Sequence, residues 1–174
     1  MCRKLANDQT TMKILTITIL LTLPFGLPAQ DKIVGRYRDY FGSHIQLNAD
    51  NTFKYTWHFD MSGGWTKGTW AFKNDTVYFH MLPTYDTLSY IRATGLTVDS
   101  LILSTDEIPE RFKLEQYTQM GLSSGGQNRI PYPEKLFYKN GKLYGIKDKK
   151  LIKKKQKEFW TGKKFPPWFF KSDD

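Results

Sequence analysis

Cysteine is nearly absent from this chain of 174 residues. The single example, Cys2, stands ahead of the longest apolar run. Downstream of that run there is no thiol, which excludes a disulfide framework, a thiolate metal site and a cysteine nucleophile from the body of the chain. A lipid anchor on a cysteine just after the run is excluded as well. Histidine is scarce: His44, His58 and His80 are not joined by H-x-H or H-E-x-x-H spacing, so no metal site is expected. No G-x-S-x-G and no paired-carboxylate spacing occurs, so acid–base or triad chemistry has no motif to rest on, and no cofactor is implied. Long apolar runs are also few. Ile14 to Leu23 is the longest, and it falls short of the roughly 20 residues that a bilayer span requires.

That short run has the order of a secretory leader. Lys13, with Arg3 and Lys4 further out, precedes it, and Pro24-Phe25-Gly26-Leu27-Pro28-Ala29 breaks it. We therefore expect a cleavable signal peptide from Met12 to about Ala29, a start of translation at Met12, and an exported chain beginning at Gln30. The destination is the periplasm or the outside of the cell, with no transmembrane segment in what remains.

The net charge of +9 is unevenly distributed. Residues 147–174 hold ten basic and four acidic groups, whereas residues 30–146 hold thirteen and twelve. The organisation expected is an N-terminal extension with signal peptide (1–29), a barrel domain (30–146) and a basic, aromatic C-terminal tail (147–174).

What is abundant is the aromatic side chain, 16% of the residues. In Thr52–Asp60, Phe53, Tyr55, Trp57 and Phe59 alternate with Lys54, Thr56, His58 and Asp60, the period of a strand with one buried face. Ile45 and Leu47 alternate in the same way before it, joined by the turn Asn48-Ala49-Asp50-Asn51. Met61-Ser62-Gly63-Gly64 turns into Trp65–Phe72, and Lys73-Asn74-Asp75 turns into Thr76–Met81. Thr87–Arg92 and Ser100–Ser104 are further strand candidates. Asn140-Gly141 within Leu136–Ile146 is the strongest local hairpin signal, because both central positions of a type I′ turn need positive φ. Residues 117–133 read as a long loop or flap, and no stretch has a convincing helical period. The fold class expected is all-β, an antiparallel meander closed into a barrel to hide its edges, with a two-sheet sandwich as the alternative.

Gly35-Arg36-Tyr37, Asp50-Asn51-Thr52-Phe53 and Gly68-Thr69-Trp70 resemble the lipocalin-like β-barrels of small secreted bacterial proteins. Leu136 through Lys154 resembles the C-terminal hairpin and lysine-rich end of secreted proteins of Gram-negative bacteria. The first resemblance implies a barrel able to hold a small apolar ligand. This chain departs from lipocalins proper in having Tyr37 where they have tryptophan, and no late-strand arginine is identifiable to pack over it.

Two candidate binding surfaces follow. Tyr55, Trp57, Trp70 and Phe79 would line a cavity for a small apolar ligand, unless the aromatic face simply fills the barrel. Lys153, Lys154, Lys155, Trp160, Lys163, Lys164 and Trp168 mix cations with rings, which suits an anionic envelope surface. The bland reading of that tail is a final strand and extended end packed on the barrel, and nucleic acid is not expected. The function expected is thus that of a secreted or periplasmic, non-enzymatic barrel that binds a small apolar ligand or the envelope surface. An enzyme on a barrel scaffold and a purely structural surface protein are the alternatives.

Overall fold

In the computed structural model the residues described are 31–120, 125–128 and 132–172. The expected signal peptide and Cys2 lie outside them. The chain forms a closed eight-stranded antiparallel barrel. Its strands are β1 (Gly35–Arg38), β2 (Ser43–Leu47), β3 (Thr52–Phe59), β4 (Ser62–Lys73), β5 (Thr76–Met81), β9 (Lys135–Lys139), β10 (Lys142–Tyr144) and β15 (Phe169–Ser172). Each is hydrogen-bonded to its chain neighbour within that set, and β15 pairs back with β1. Closure leaves the barrel without an unpaired edge.

Two insertions interrupt this up-and-down path. The first holds β6 (Tyr85–Ile91), β7 (Thr97–Leu103), β8 (Arg111–Lys113) and the short helix α1 (Leu114–Met120). Its three strands form a separate sheet in which β6 and β8 run parallel. The second holds two small hairpins, β11 (Ile146–Lys147) with β12 (Lys150–Leu151) and β13 (Gln156–Lys157) with β14 (Lys164–Phe165).

The two ends of the barrel differ, for reasons that lie in the turns. Asn48–Asn51, Asn74-Asp75 and Asn140-Gly141 close one end tightly. Positive φ at Asn51 (65°), Asn74 (50°), Asp75 (54°), Asn140 (50°) and Gly141 (72°) explains why Asn, Asp and Gly stand there. Asp50 adds a bond from the Thr52 hydroxyl and another from its amide, which hold its carboxyl below the ordinary carboxylate range. Ile33 plugs this end: it is fully buried, and its carbonyl accepts a 2.7 Å hydrogen bond from the Tyr37 hydroxyl. Both insertions leave from the opposite end, together with the β1–β2 loop and the β3–β4 turn.

Alternation sets the core. Tyr37, Ile45, Leu47, Phe53, Tyr55, Trp70, Val77, Leu136, Leu143 and Phe169 all point inward, and Trp57, Phe72, Phe79 and Tyr138 pack against them. Burying a side chain of this size stabilises by about 1.5–3 kcal/mol, so ten such positions dominate the fold energetics. Gly68, beside Phe53 and Met81 in the register, sits where a Cβ would lie 2.0 Å from the His80 carbonyl oxygen. Only glycine permits that approach of two backbones.

The final strand expected in the segment from residue 147 is present and is the eighth strand of the barrel, with Phe169 buried in the core and Leu143 opposite it. Two expectations change. Residues 114–120 form a helix, too short to show a period in the sequence. Residues 125–128, within the expected flap, are tied to the barrel: Trp65 N donates to Gly126 O (3.1 Å) and Asn128 N to Trp65 O (2.8 Å). Gly121, Ser123, Ser124 and Pro131 of that flap lie outside the described residues.

Candidate functional site

The interior residues proposed as a ligand cavity are all found inside the barrel, but at different depths. Trp70 lies toward the plugged end, where its indole N–H donates to the Asn48 carbonyl at 3.1 Å. Phe79, opposite Trp70 in the register, meets Phe53 edge-on with ring centroids 4.7 Å apart. Tyr55 is further along the axis, its hydroxyl 3.4 Å from Ser43 Oγ. Trp57 is at the far end, where its indole N–H donates to Asn128 Oδ1 at 3.1 Å. All four belong to or pack against one core cluster, and the polar atoms of Tyr55, Trp57 and Trp70 are hydrogen-bonded to the backbone or to neighbours. Burial is the main reason the Tyr55 hydroxyl pKa is pushed up to about 12, with the nearby Tyr132 hydroxyl and Asp39 carboxylate adding to it.

That far end is covered in part by the return of the first insertion. The Tyr132 ring meets Tyr55 edge-on at 5.2 Å. Asn128 bridges Trp57 and Thr66, donating to Thr66 Oγ1 at 2.9 Å. Buried Gln127 accepts from the Thr84 amide at 3.0 Å and donates to the Leu82 carbonyl. Gly64 makes room for this clasp, since a Cβ there would lie 2.6 Å from Asn128 Oδ1 and 2.8 Å from Trp57 Nε1.

Beside the clasp stands a solvent-facing group of rings. Phe59, at the last position of β3, meets Phe159 edge-on at 5.7 Å and stacks with Trp160 at 6.3 Å. Phe159 and Trp160 meet at 5.0 Å. All three remain exposed, by 46%, 74% and 68% respectively, so three large rings associate without leaving water. Sequence reading places Phe59 on the aromatic face of its strand and Phe159-Trp160 in the tail, and does not bring them together. Phe59 keeps the inward parity of β3 but lies beyond the barrel wall, and only the three-dimensional position of the second insertion reveals its neighbours.

The geometry of the hairpin β13–β14 explains how these rings are presented. Phe159-Trp160-Thr161-Gly162 form its tip. The Glu158 carboxylate accepts hydrogen bonds from Trp160 N (2.8 Å), Thr161 N (2.7 Å) and Thr161 Oγ1 (2.6 Å). The legs set Lys157 directly opposite Lys164. Lys153, Lys154, Lys155 and Lys163 are exposed nearby in the chain, and among the described residues these lysines make no ion pair. Trp168 is different: it is half-buried on the barrel wall, tilted against Tyr144 at 5.4 Å with the Lys142 ammonium 5.4 Å above its ring. Of the tail residues singled out, Trp160, Lys163 and Lys164 share the hairpin, Lys153–Lys155 precede it, and Trp168 belongs to the wall.

His44, His58 and His80 are exposed on three different strands, β2, β3 and β5. Among the described residues no group of three His, Cys, Asp or Glu side chains converges as a metal site would require, and no helix is long and apolar enough to cross a membrane.

The fold and this end define a class: a closed antiparallel barrel with a packed interior, whose elaborated end carries exposed rings among cations. No protein family matches the chain, and no curated protein or solved structure matches it either.

Proposed function

We propose that this is an exported, non-enzymatic barrel that docks its elaborated end on an anionic, amphiphilic surface of the cell envelope. One observation carries the reading: the β13–β14 hairpin holds Phe159 and Trp160 against Phe59 in water while Lys157 and Lys164 face each other across it. Like charges directly opposite on paired strands repel. Lys147↔Lys150 repeats the arrangement on the preceding hairpin of the same insertion. An anionic surface relieves that repulsion, and head-group depth accommodates the rings.

The magnitudes suit reversible binding. An aromatic side chain buries on the order of 150–250 Å², and transferring half of that at about 25 cal/mol per Å² is worth about 2–3 kcal/mol per ring. Each lysine near an anionic leaflet adds about 1 kcal/mol. The leader-like residues 12–29 support export, and the eight-stranded up-and-down closure supports the lipocalin-like reading of Gly35-Arg36-Tyr37 and Gly68-Thr69-Trp70. The packed rings inside the barrel favour a surface over an apolar ligand held within.

Binding to vesicles of phosphatidylglycerol and phosphatidylcholine tests the proposal. The full chain should sediment with anionic vesicles and be released by salt. The double variant Phe159→Ser/Trp160→Ser should bind at least about tenfold more weakly at unchanged thermal stability, since both rings are exposed. Equal binding by the variant would overturn the reading.

A further inference from the structure

The outer wall of the barrel carries a second cationic feature, away from the aromatic hairpin. Strands β1, β2 and β3 turn Arg36, Arg38, His44, Gln46, Lys54 and Thr56 outward, where with Ser172 they line a shallow trough of about 390 Å³. The register places Arg36 beside Gln46 and Gln46 beside Lys54 in one row, and Arg38 beside His44 and His44 beside Thr56 in the next. Four of these side chains are cationic or can become so, and among the described residues none that lines the trough is a carboxylate.

The arginines are oriented rather than merely adjacent. Arg36 donates from Nε to Gln46 Oε1 at 3.0 Å, and among the described residues neither terminal nitrogen of the guanidinium has a hydrogen-bond partner. Gln46 is fixed in turn, because its Nε2 donates to Asn48 Oδ1 (3.2 Å). Asn48 Nδ2 donates to Thr52 Oγ1 (2.9 Å), and the Thr52 hydroxyl donates to Asp50 Oδ1 (2.6 Å). This chain of donors runs unbroken from the guanidinium to a carboxylate, so every amide in it has a defined direction. Arg38 is steadied separately by the Phe170 ring, 5.3 Å from its Cζ. Lys54 is partly neutralised by its ion pair with Glu107, and among the described residues neither arginine makes an ion pair.

We propose that this trough is a binding site for a tetrahedral oxyanion ester, a phosphate or sulfate carried on a larger polar molecule. A pre-aimed guanidinium fork matches two oxygens of such a group. Arg38 and the His44 ring supply further donors from the adjacent row, and Thr56 and Ser172 line the same trough. The site is independent of the Phe59–Phe159–Trp160 end and does not rest on the surface-docking proposal.

Titration of the isotope-labelled full chain with glucose 6-phosphate, with glucose as control, reads the site directly. The Arg36 Nε–Hε and His44 ring signals should shift with the ester and not with glucose. Arg36→Gln/Arg38→Gln should weaken binding by about tenfold or more, as the loss of charged hydrogen bonds requires. Lys73→Gln/Lys135→Gln, which removes the same charge from exposed positions of β4 and β9, should bind like the parent chain. Silent Arg36 and His44 signals in the parent chain would overturn the proposal whatever the variants do. So would an equal loss in the Lys73/Lys135 variant, which would mean bulk charge alone. A second arm with phosphatidylglycerol vesicles separates sources: weaker vesicle binding by the Arg36/Arg38 variant assigns the site to lipid phosphate, and unchanged vesicle binding assigns it to a soluble ester.

Discussion

Glu158 shows how one side chain can set a surface. Its carboxylate accepts two amide hydrogen bonds and one hydroxyl bond, and these hold its pKa below the ordinary carboxylate range, the Thr161 hydroxyl contributing most. A depressed folded-state pKa means that the turn is favoured throughout the range above the unfolded value. That contribution is lost as pH falls through the folded one. The amide signals of Trp160 and Thr161 should therefore stay constant from neutral pH down to the ordinary carboxylate range and move only below it. Glu158→Gln should abolish that low-pH transition and broaden the Trp160 side-chain signals. A midpoint at the value of an unperturbed glutamate would show that the carboxylate does not hold the turn. The residue scale is also where the sequence was most readable. The alternation of Phe53, Tyr55 and Trp57 with Lys54, Thr56 and His58 is physically the pleat itself, and Asn140-Gly141 stands where two positive φ angles are required. Gly68 and Gly64 were not readable in this way. Their necessity comes from the His80 carbonyl and the Asn128 side chain, atoms brought close only by folding.

At the scale of elements, legibility falls with sequence separation. The hairpins β2–β3, β3–β4, β4–β5 and β9–β10 pair neighbours, and their turns announce them. β15 does not: Phe169–Ser172 is four residues in a lysine- and proline-rich stretch, and its partners β1 and β10 lie far back along the chain. Read locally, that stretch is a final strand with no partner assigned. Placed in the register, it is the staple that closes the barrel. The parallel pairing of β6 with β8, and the return of Gln127 and Asn128 to β4, are invisible for the same reason. The consequence can be tested by ending the chain after Ile146. Such a truncation exposes one edge of β1 and one of β10, and removes Phe169 from the core. Loss of a buried Phe alone costs about 3–5 kcal/mol, a large share of the 5–15 kcal/mol that stabilises an ordinary domain. We expect the truncated chain to lose its cooperative thermal transition and its near-ultraviolet dichroism. A truncated chain that melts like the parent would mean that the barrel closes without β15.

For the whole molecule, the difference between the ends implies an orientation. Tight Asn- and Asp-rich turns and the Ile33 plug finish one end. Among the described residues, both insertions, the Phe59–Phe159–Trp160 rings and the lysines of the β13–β14 hairpin are at or beyond the other. A rigid closed barrel couples these ends mechanically, so a surface bound through Phe159 and Trp160 leaves the plugged end in solvent. Environment-sensitive labels make this measurable. In a Cys2→Ser background, a fluorophore on Lys163→Cys should shift to the blue and become shielded from aqueous quenchers when anionic vesicles are added. The same fluorophore on Lys73→Cys, at the opposite end of β4, should remain fully quenchable. Net charge alone orients nothing, and a uniformly sticky cationic protein would shield both labels alike. Shielding at Lys163 only, reversed by salt, is the signature of a directed end. Shielding at Lys73 would place the contact on the wall or on the plugged end, and would move the functional surface away from the aromatic hairpin.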